Sequence, residues 1–167
     1  MTSRPSEVEI LEVATRELAL LERDLPSPHH RQRAAAHRSG AATFLVAVRR
    51  GEAVGYLVIK WTGADERVVH RRIGDCPELN AITVAPALQS RGIGTALIEA
   101  AERRVAARGH FRVGLGVGIG NPRARALYER LGYRAWAHGR YDVSWDVPGD
   151  PPKREHETCV YMLKRLA

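Results

Sequence analysis

Along this chain the apolar positions fall into short alternating runs, broken by stretches in which they recur at helical spacing. Val8-Glu-Ile-Leu-Glu-Val13 alternates as a half-buried strand does. From Thr15, a residue able to cap a helix, to about Arg23 the spacing turns helical, with Leu18, Leu21 and Leu25 inward and Pro26 and Pro28 as breakers. A second helix opens at Ser27 or Pro28 and runs to about Arg38, where Gly40 stops it. Thr43–Val48 and Val54–Trp61 are β-rich runs around Arg49-Arg-Gly51-Glu52, a hairpin whose turn glycine supplies. Thr62 to Pro77 reads as loop.

Glu78–Val84 is the next strand, and a short loop joins it to a helix that opens on Gly92 and Gly94. Ile93, Ala96, Leu97, Ala100, Ala101 and Val105 share one face of that helix, while Glu99, Glu102, Arg103 and Arg104 lie elsewhere, so it packs on a sheet. Phe111–Val117 is then a strand parallel to its predecessor, because a helix crosses between them. Gly114, Gly116, Gly118 and Gly120 alternate there with Val113, Leu115, Val117 and Ile119. The bare face calls for close approach by a packed helix, a cofactor or an acceptor. Pro122–Leu131 is a helix with Asn121 as N-cap, proline at its first position and Gly132 at its end. Tyr133 to about Val147 and Thr158 to Leu166 form a long antiparallel pair around the turn-rich tip Asp146-Val-Pro-Gly-Asp-Pro-Pro-Lys-Arg154.

The 167 residues suit a single domain over 1–167, with residues 1–6 polar and expected to fray. A hydrophobic fraction of 44% and a charged fraction of 27% are those of a soluble globular protein. The net charge of +7 is carried almost entirely by arginines from Arg4 to Arg165, with Lys60, Lys153 and Lys164 the lysines. No run of about five like charges occurs, so a solvated arginine-rich surface is favoured over a nucleic-acid face. The same field would favour a ligand with several phosphates. Cys76 and Cys159 stand apart without Cys-x-x-Cys spacing, which indicates neither a zinc site nor a disulfide framework, and no metal is expected. An N-terminus without an apolar core and the absence of about 18 consecutive apolar residues point to a cytoplasmic protein with no membrane partner.

The two-glycine loop carries the first chemistry. A helix leaves its first N–H groups without internal partners, its dipole makes that end partly positive, and a phosphate fits there. Gly92 and Gly94 let the backbone take unusual angles and a ligand come close. A P-loop is excluded because no Gly-Lys-Ser/Thr follows, and a dinucleotide fingerprint is disfavoured by Leu97 in the place of its third glycine. The fuller pattern is Val84-x-Pro86-x-x-Gln89-x-x-Gly92-x-Gly94, followed by Asn121-Pro-Arg-Ala124-Arg-Ala-Leu127-Tyr128-Glu-Arg-Leu131-Gly132-Tyr133. With these two motifs the chain resembles the GNAT superfamily of acyl-CoA-dependent N-acetyltransferases, from the Thr43 strand to the C-terminus.

The resemblance implies an α/β (α+β) GNAT-like fold. Its central sheet is mixed, mostly antiparallel and twisted, of about six or seven strands with a splayed parallel pair at the centre, flanked by about four helices. It implies acetyl-CoA as cosubstrate and direct attack by a primary amine, of a small molecule or a peptide, in a ternary complex. A non-catalytic acyl-CoA sensor of the same fold is the alternative. The pyrophosphate loop maps onto Gln89 and the amides of Arg91, Gly92, Ile93, Gly94, Thr95 and Ala96. Main-chain groups of Ile82, Thr83 and Val84 would pair with the pantetheine, and Asn121, Arg123, Ala124 and Tyr128 match further cofactor-side positions. Asn121 is equally explained as a helix cap.

Amine acetylation needs a base, a polarised thioester and a proton for the thiolate. Tyr128 matches the family's proton donor to the thiolate, or is a helix tyrosine packed in the core. Glu78 stands where several members carry a general base, or is a solvated strand-end carboxylate; burial would raise its pKa. His138 is the second candidate base, or a surface residue. For the acceptor, Tyr141, Asp142, Trp145 and Asp146 offer carboxylates and aromatic faces suited to a cationic amine, or form a solvated hairpin tip. Exposed strands and apolar helix faces permit a homodimer.

Overall fold

The structure is a computed structural model that describes residues 8–167; the stretch 1–6, expected to fray, lies outside the described residues. The alternating runs form β1 (Glu9–Glu12), β2 (Ala42–Arg49), β3 (Glu52–Lys60), β4 (Glu78–Val84), β5 (Arg112–Gly118), β6 (Arg134–Val147) and β7 (Lys153–Arg165). They make one seven-stranded sheet in the order β1-β2-β3-β4-β5-β7-β6. The β4–β5 pair is parallel, with Glu78 opposite Gly114 and Leu79 opposite Leu115. The β1–β2, β5–β7 and β6–β7 pairs are antiparallel. The sheet is therefore mixed with its parallel pair inside, as expected.

Five α-helices occur among the described residues, α1 (Thr15–Asp24), α2 (His30–Ser39), α3 (Arg67–Ile73), α4 (Ile93–Ala107) and α5 (Pro122–Arg130), one more than expected. The addition is α3, inside the stretch expected to be loop. Its only buried residues, Val69 and Ile73, lie one helical turn apart among charged neighbours, too little periodicity to signal a helix. Among the element boundaries that differ, three have a visible cause. Thr15 is the first residue of α1 and not its cap; the cap is Ala14, whose amide donates to the Glu17 carboxylate at 3.1 Å. α2 starts at His30, after a turn in which the His29 amide donates to Ser27 Oγ at 3.2 Å. β7 starts at Lys153, ahead of Thr158, because polar cross-strand bonds from Arg154 to Asp146 and Ser144, both 2.8 Å, extend the hairpin where no apolar alternation marks it.

The chain divides into two compact units, residues up to Ile59 with Ala81–Ala101, and Lys60–Asn80 with Glu102–Ala167. In the first, Val13, Leu21, Ala34, Phe44, Val46, Tyr56 and Val58 form a core in which α1 and α2 cover β2 and β3. Buried His30 stands edge-on to Tyr56 at 4.9 Å with its Nε2 2.6 Å from the Leu25 carbonyl. In the second, Val69 and Ile73 of α3 pack with Cys76, Trp136, Tyr141, Cys159 and Tyr161. Buried Glu102 accepts from Lys164 Nζ at 2.8 Å and from the Tyr133 hydroxyl at 3.3 Å. Among the described residues no helix is long and apolar enough to cross a membrane.

Candidate active site

In the first unit the candidate residues surround the start of α4. The turn Pro86–Leu88 leads through Gln89, whose side-chain amide donates to the Val84 carbonyl at 3.5 Å, to Gly92 at φ +82°. That left-handed angle is open to glycine without strain and bends the chain into the helix. Gly94, expected to share the unusual geometry, is helical and takes no positive φ; Ser90, at +63°, is the loop's second left-handed residue. The Ala96 amide bonds back to the Gly92 carbonyl at 3.0 Å, which leaves the amides of Ile93, Gly94 and Thr95 as the first turn. Arg91 and Gly92 are exposed, Thr95 and Ala96 half-buried, and Ile93 anchors the turn in the core. Amides, a positive helix end and a guanidinium at an open surface are groups that suit an anion chemically. Upstream, Ile82, Thr83 and Val84 are half-buried, Ala81 takes φ +54°, and Thr83 Oγ1 donates to the Ala81 carbonyl at 3.1 Å.

The second unit holds the titratable groups. Glu78, at the start of β4, is only 4% exposed, with the Lys60 ammonium 4.0 Å away. Burial pushes its carboxyl up to about 7, Lys60 pulls the other way, and Glu66, the cap residue of α3, raises it further. It is not a solvated strand-end carboxylate. Tyr128 of α5 is 7% exposed, stands edge-on to Tyr133 at 6.2 Å, and is pushed up to about 12 by burial. Asn121 caps α5, its Oδ1 accepting from the Ala124 amide at 3.1 Å; Arg123 is exposed and Ala124 half-buried. Burial raises the thiols of Cys76 to about 11 and Cys159 to about 12, so neither is poised as a nucleophile. His138 is exposed, edge-on to Trp136 at 5.1 Å.

At Gly114, Gly116 and Gly118 the glycine face of β5 is covered by side chains of its own unit. The Tyr161 hydroxyl fills the place where a side chain on Gly114 would begin, the Tyr141 hydroxyl does the same at Gly116, and the Glu157 carboxylate at Gly118. Trp136 stands 5.7 Å from both tyrosine rings.

The four acceptor candidates do not come together. β6 and β7 pair without a break from Arg140↔Val160 to Val147↔Lys153, so Tyr141 and Trp145 face one side of the hairpin, Asp142 and Asp146 the other. Tyr141 is buried in the aromatic cluster and Trp145 is 39% exposed. Asp142 accepts from Thr158 Oγ1 at 2.9 Å, and Asp146 is paired with Arg154 at 2.8 Å. Sequence reasoning missed Lys60, Glu66 and Tyr161 around Glu78. The alternating glycines signalled a close approach, but the residues that make it follow from strand register alone.

The profile of the Acetyltransferase (GNAT) family matches residues 8–133. A mycothiol acetyltransferase of Kocuria rhizophila is 38% identical over 96 residues, 56% of this chain and 30% of that protein. A second, of Salinispora tropica, is 40% identical over 106 residues, 62% of this chain and 33% of that protein. The chain thus spans about a third of the length of the curated relatives it matches. In fold it is similar to the ribosomal-protein-S18-alanine N-acetyltransferase from Escherichia coli, with a TM-score of 0.66 at 19% identity over 96% of this chain and 95% of that one.

Proposed function

The chain belongs to the acetyltransferase (GNAT) family, and from that premise we propose that it is an N-acetyltransferase, one domain over residues 1–167, acting on a primary amine of a small molecule or a peptide. The observation that carries the reading is Glu78, a buried carboxyl with a proton affinity near neutrality in the strand that precedes the Gly92–Gly94 loop. Acetyl-CoA would supply the acetyl thioester, and no metal is required. The amides of Arg91 to Ala96 suit its pyrophosphate, with Gln89 bracing the loop. Ile82, Thr83 and Val84 offer main-chain groups to the pantetheine and to the thioester oxygen, and Asn121, Arg123 and Ala124 serve the cofactor side.

The nitrogen sheds two protons in all, one before attack and one as the amide forms; one of them replaces the proton that the thiolate takes, and the other leaves to solvent. Glu78 takes the proton that the ammonium must lose before its nitrogen can attack the carbonyl carbon. Tyr128, kept protonated by burial, gives its proton to the thiolate as the C–S bond breaks. The raised thiols of Cys76 and Cys159 support direct transfer without an acyl-cysteine.

Titration calorimetry with acetyl-CoA on wild type and Gly92→Glu tests the cofactor, and an amine panel with Glu78→Gln and Tyr128→Phe tests the chemistry. Binding that Gly92→Glu abolishes, with turnover lowered at least about a hundredfold by Glu78→Gln, is expected. Binding without turnover on any amine would leave an acyl-CoA sensor. A folded protein that does not bind acetyl-CoA would overturn both.

A further inference from the structure

Tyr161 is the one described residue with a buried side-chain polar atom that lacks a hydrogen-bond partner. The residue is 0% exposed, and its ring is fixed by Trp136 at 5.7 Å and Tyr141 at 6.2 Å. An unsatisfied buried hydroxyl is costly, and phenylalanine would fill the same ring site without the cost.

Its position explains why it is there. The hydroxyl lies where a side chain on Gly114 would begin, and Gly114 is the direct partner of Glu78 across the parallel β4–β5 pair. Residues paired in register point to the same face, and neighbouring strands stand about 4.8 Å apart. The hydroxyl is thus about one strand spacing from the Glu78 Cβ, within the span of a glutamate side chain. Glu78 also exerts the largest charge effect on Tyr161. The other charged or titratable groups acting on Glu78 are Lys60 from β3, Asp65 and Glu66 just before α3, Cys76 just before β4, Tyr141 of β6 and Cys159 of β7. Of these, Lys60 favours the carboxylate and is shared with Asp65, and the Asn80 side chain gives the carboxylate one further hydrogen bond.

We propose that Tyr161 is a positioning residue for Glu78: its hydroxyl is the donor held for the ionised carboxylate, fixing that side chain in the form that accepts the amine proton. A glycine at 114 is what leaves room for the phenol on this face of β5. The inference rests on the reading of Glu78 as base, but the pairing itself can be measured apart from turnover.

The experiment is a pH titration of the Glu78 carboxyl by carbon-13 NMR in wild type and Tyr161→Phe, assigned with Glu78→Gln, beside the pH profile of kcat/KM. Loss of a bond to the charged form should raise the Glu78 pKa by about one unit or more in Tyr161→Phe. The acid limb of the profile should move up with it while KM for acetyl-CoA stays unchanged. An identical carboxyl titration in a folded Tyr161→Phe protein overturns the proposal. A shifted titration with an acid limb that Glu78→Gln leaves in place keeps the pairing and rejects Glu78 as the base.

Discussion

A carboxylate that must ionise inside a protein works against the fold that holds it. The folded-state pKa of Glu78 is raised from 4.5 to about 7, so the folded protein keeps a proton that the unfolded chain releases. Its contribution is neutral below about pH 4.5, turns unfavourable as pH rises through the window, and is fully unfavourable above pH 7. A shift of this size corresponds to about 3 kcal/mol. Denaturant unfolding should therefore find Glu78→Gln more stable than wild type at pH 8 by up to about 3 kcal/mol, with the gain fading toward pH 4. A constant difference across that range would mean that packing, and not ionisation, separates the two. His30 titrates with the opposite sign. Burial lowers its pKa, so the stability it contributes is present above its ordinary value of 6.5 and is lost as pH falls below it. Just below pH 6.5 the two groups oppose each other, and His30→Gln beside Glu78→Gln would separate them.

At the scale of elements, α5 shows how one residue can serve structure and ligand at once. Asn121 caps the helix through the Ala124 amide, and losing such a cap costs about 1 kcal/mol. Asn121→Ala should lower stability by that amount in denaturant unfolding. If KM for acetyl-CoA is unchanged in the same variant, the residue is a cap alone; a several-fold rise would assign it to the cofactor as well. Elements of this kind were legible because their signals are local: proline and glycine bracket α5, and the apolar stripe of α4 repeats over four turns. The misses are equally physical. α3 buries one turn of side chains, and the β7 extension is held by a charge pair and a hydrogen bond from Arg154 that leave no periodic trace. Alternation at residues 141–146 already separates the two carboxylates from the two aromatics, so that grouping failed on strand geometry and not on chemistry. Tyr161 could not be found from composition, because what places it at Gly114 is the pairing of β5 with a strand more than forty residues later.

For the molecule as a whole, charge is the property that no single element carries. Several acidic groups are taken up in pairs, such as Asp24 with Arg23, Glu129 with Arg125, Asp146 with Arg154 and Glu102 with Lys164. What remains is the arginine excess behind the net charge of +7. Such a field draws in a ligand with several phosphates and acts on encounter more than on the bound state. Screening shortens its reach from about 10 Å at 0.1 M salt to about 3 Å at 1 M. Stopped-flow binding of acetyl-CoA between those limits should therefore show an association rate that falls several-fold, while the dissociation rate changes little. A ligand held mainly by direct ion pairs behaves differently, since salt then speeds its release. The loop at Gly92 offers main-chain amides and a helix end, whose hold on a phosphate is less open to screening than a pair of exposed side chains. A salt effect confined to association would assign recognition to the backbone of that loop and capture to the arginine surface; an effect confined to dissociation would move recognition onto Arg91 and its neighbours.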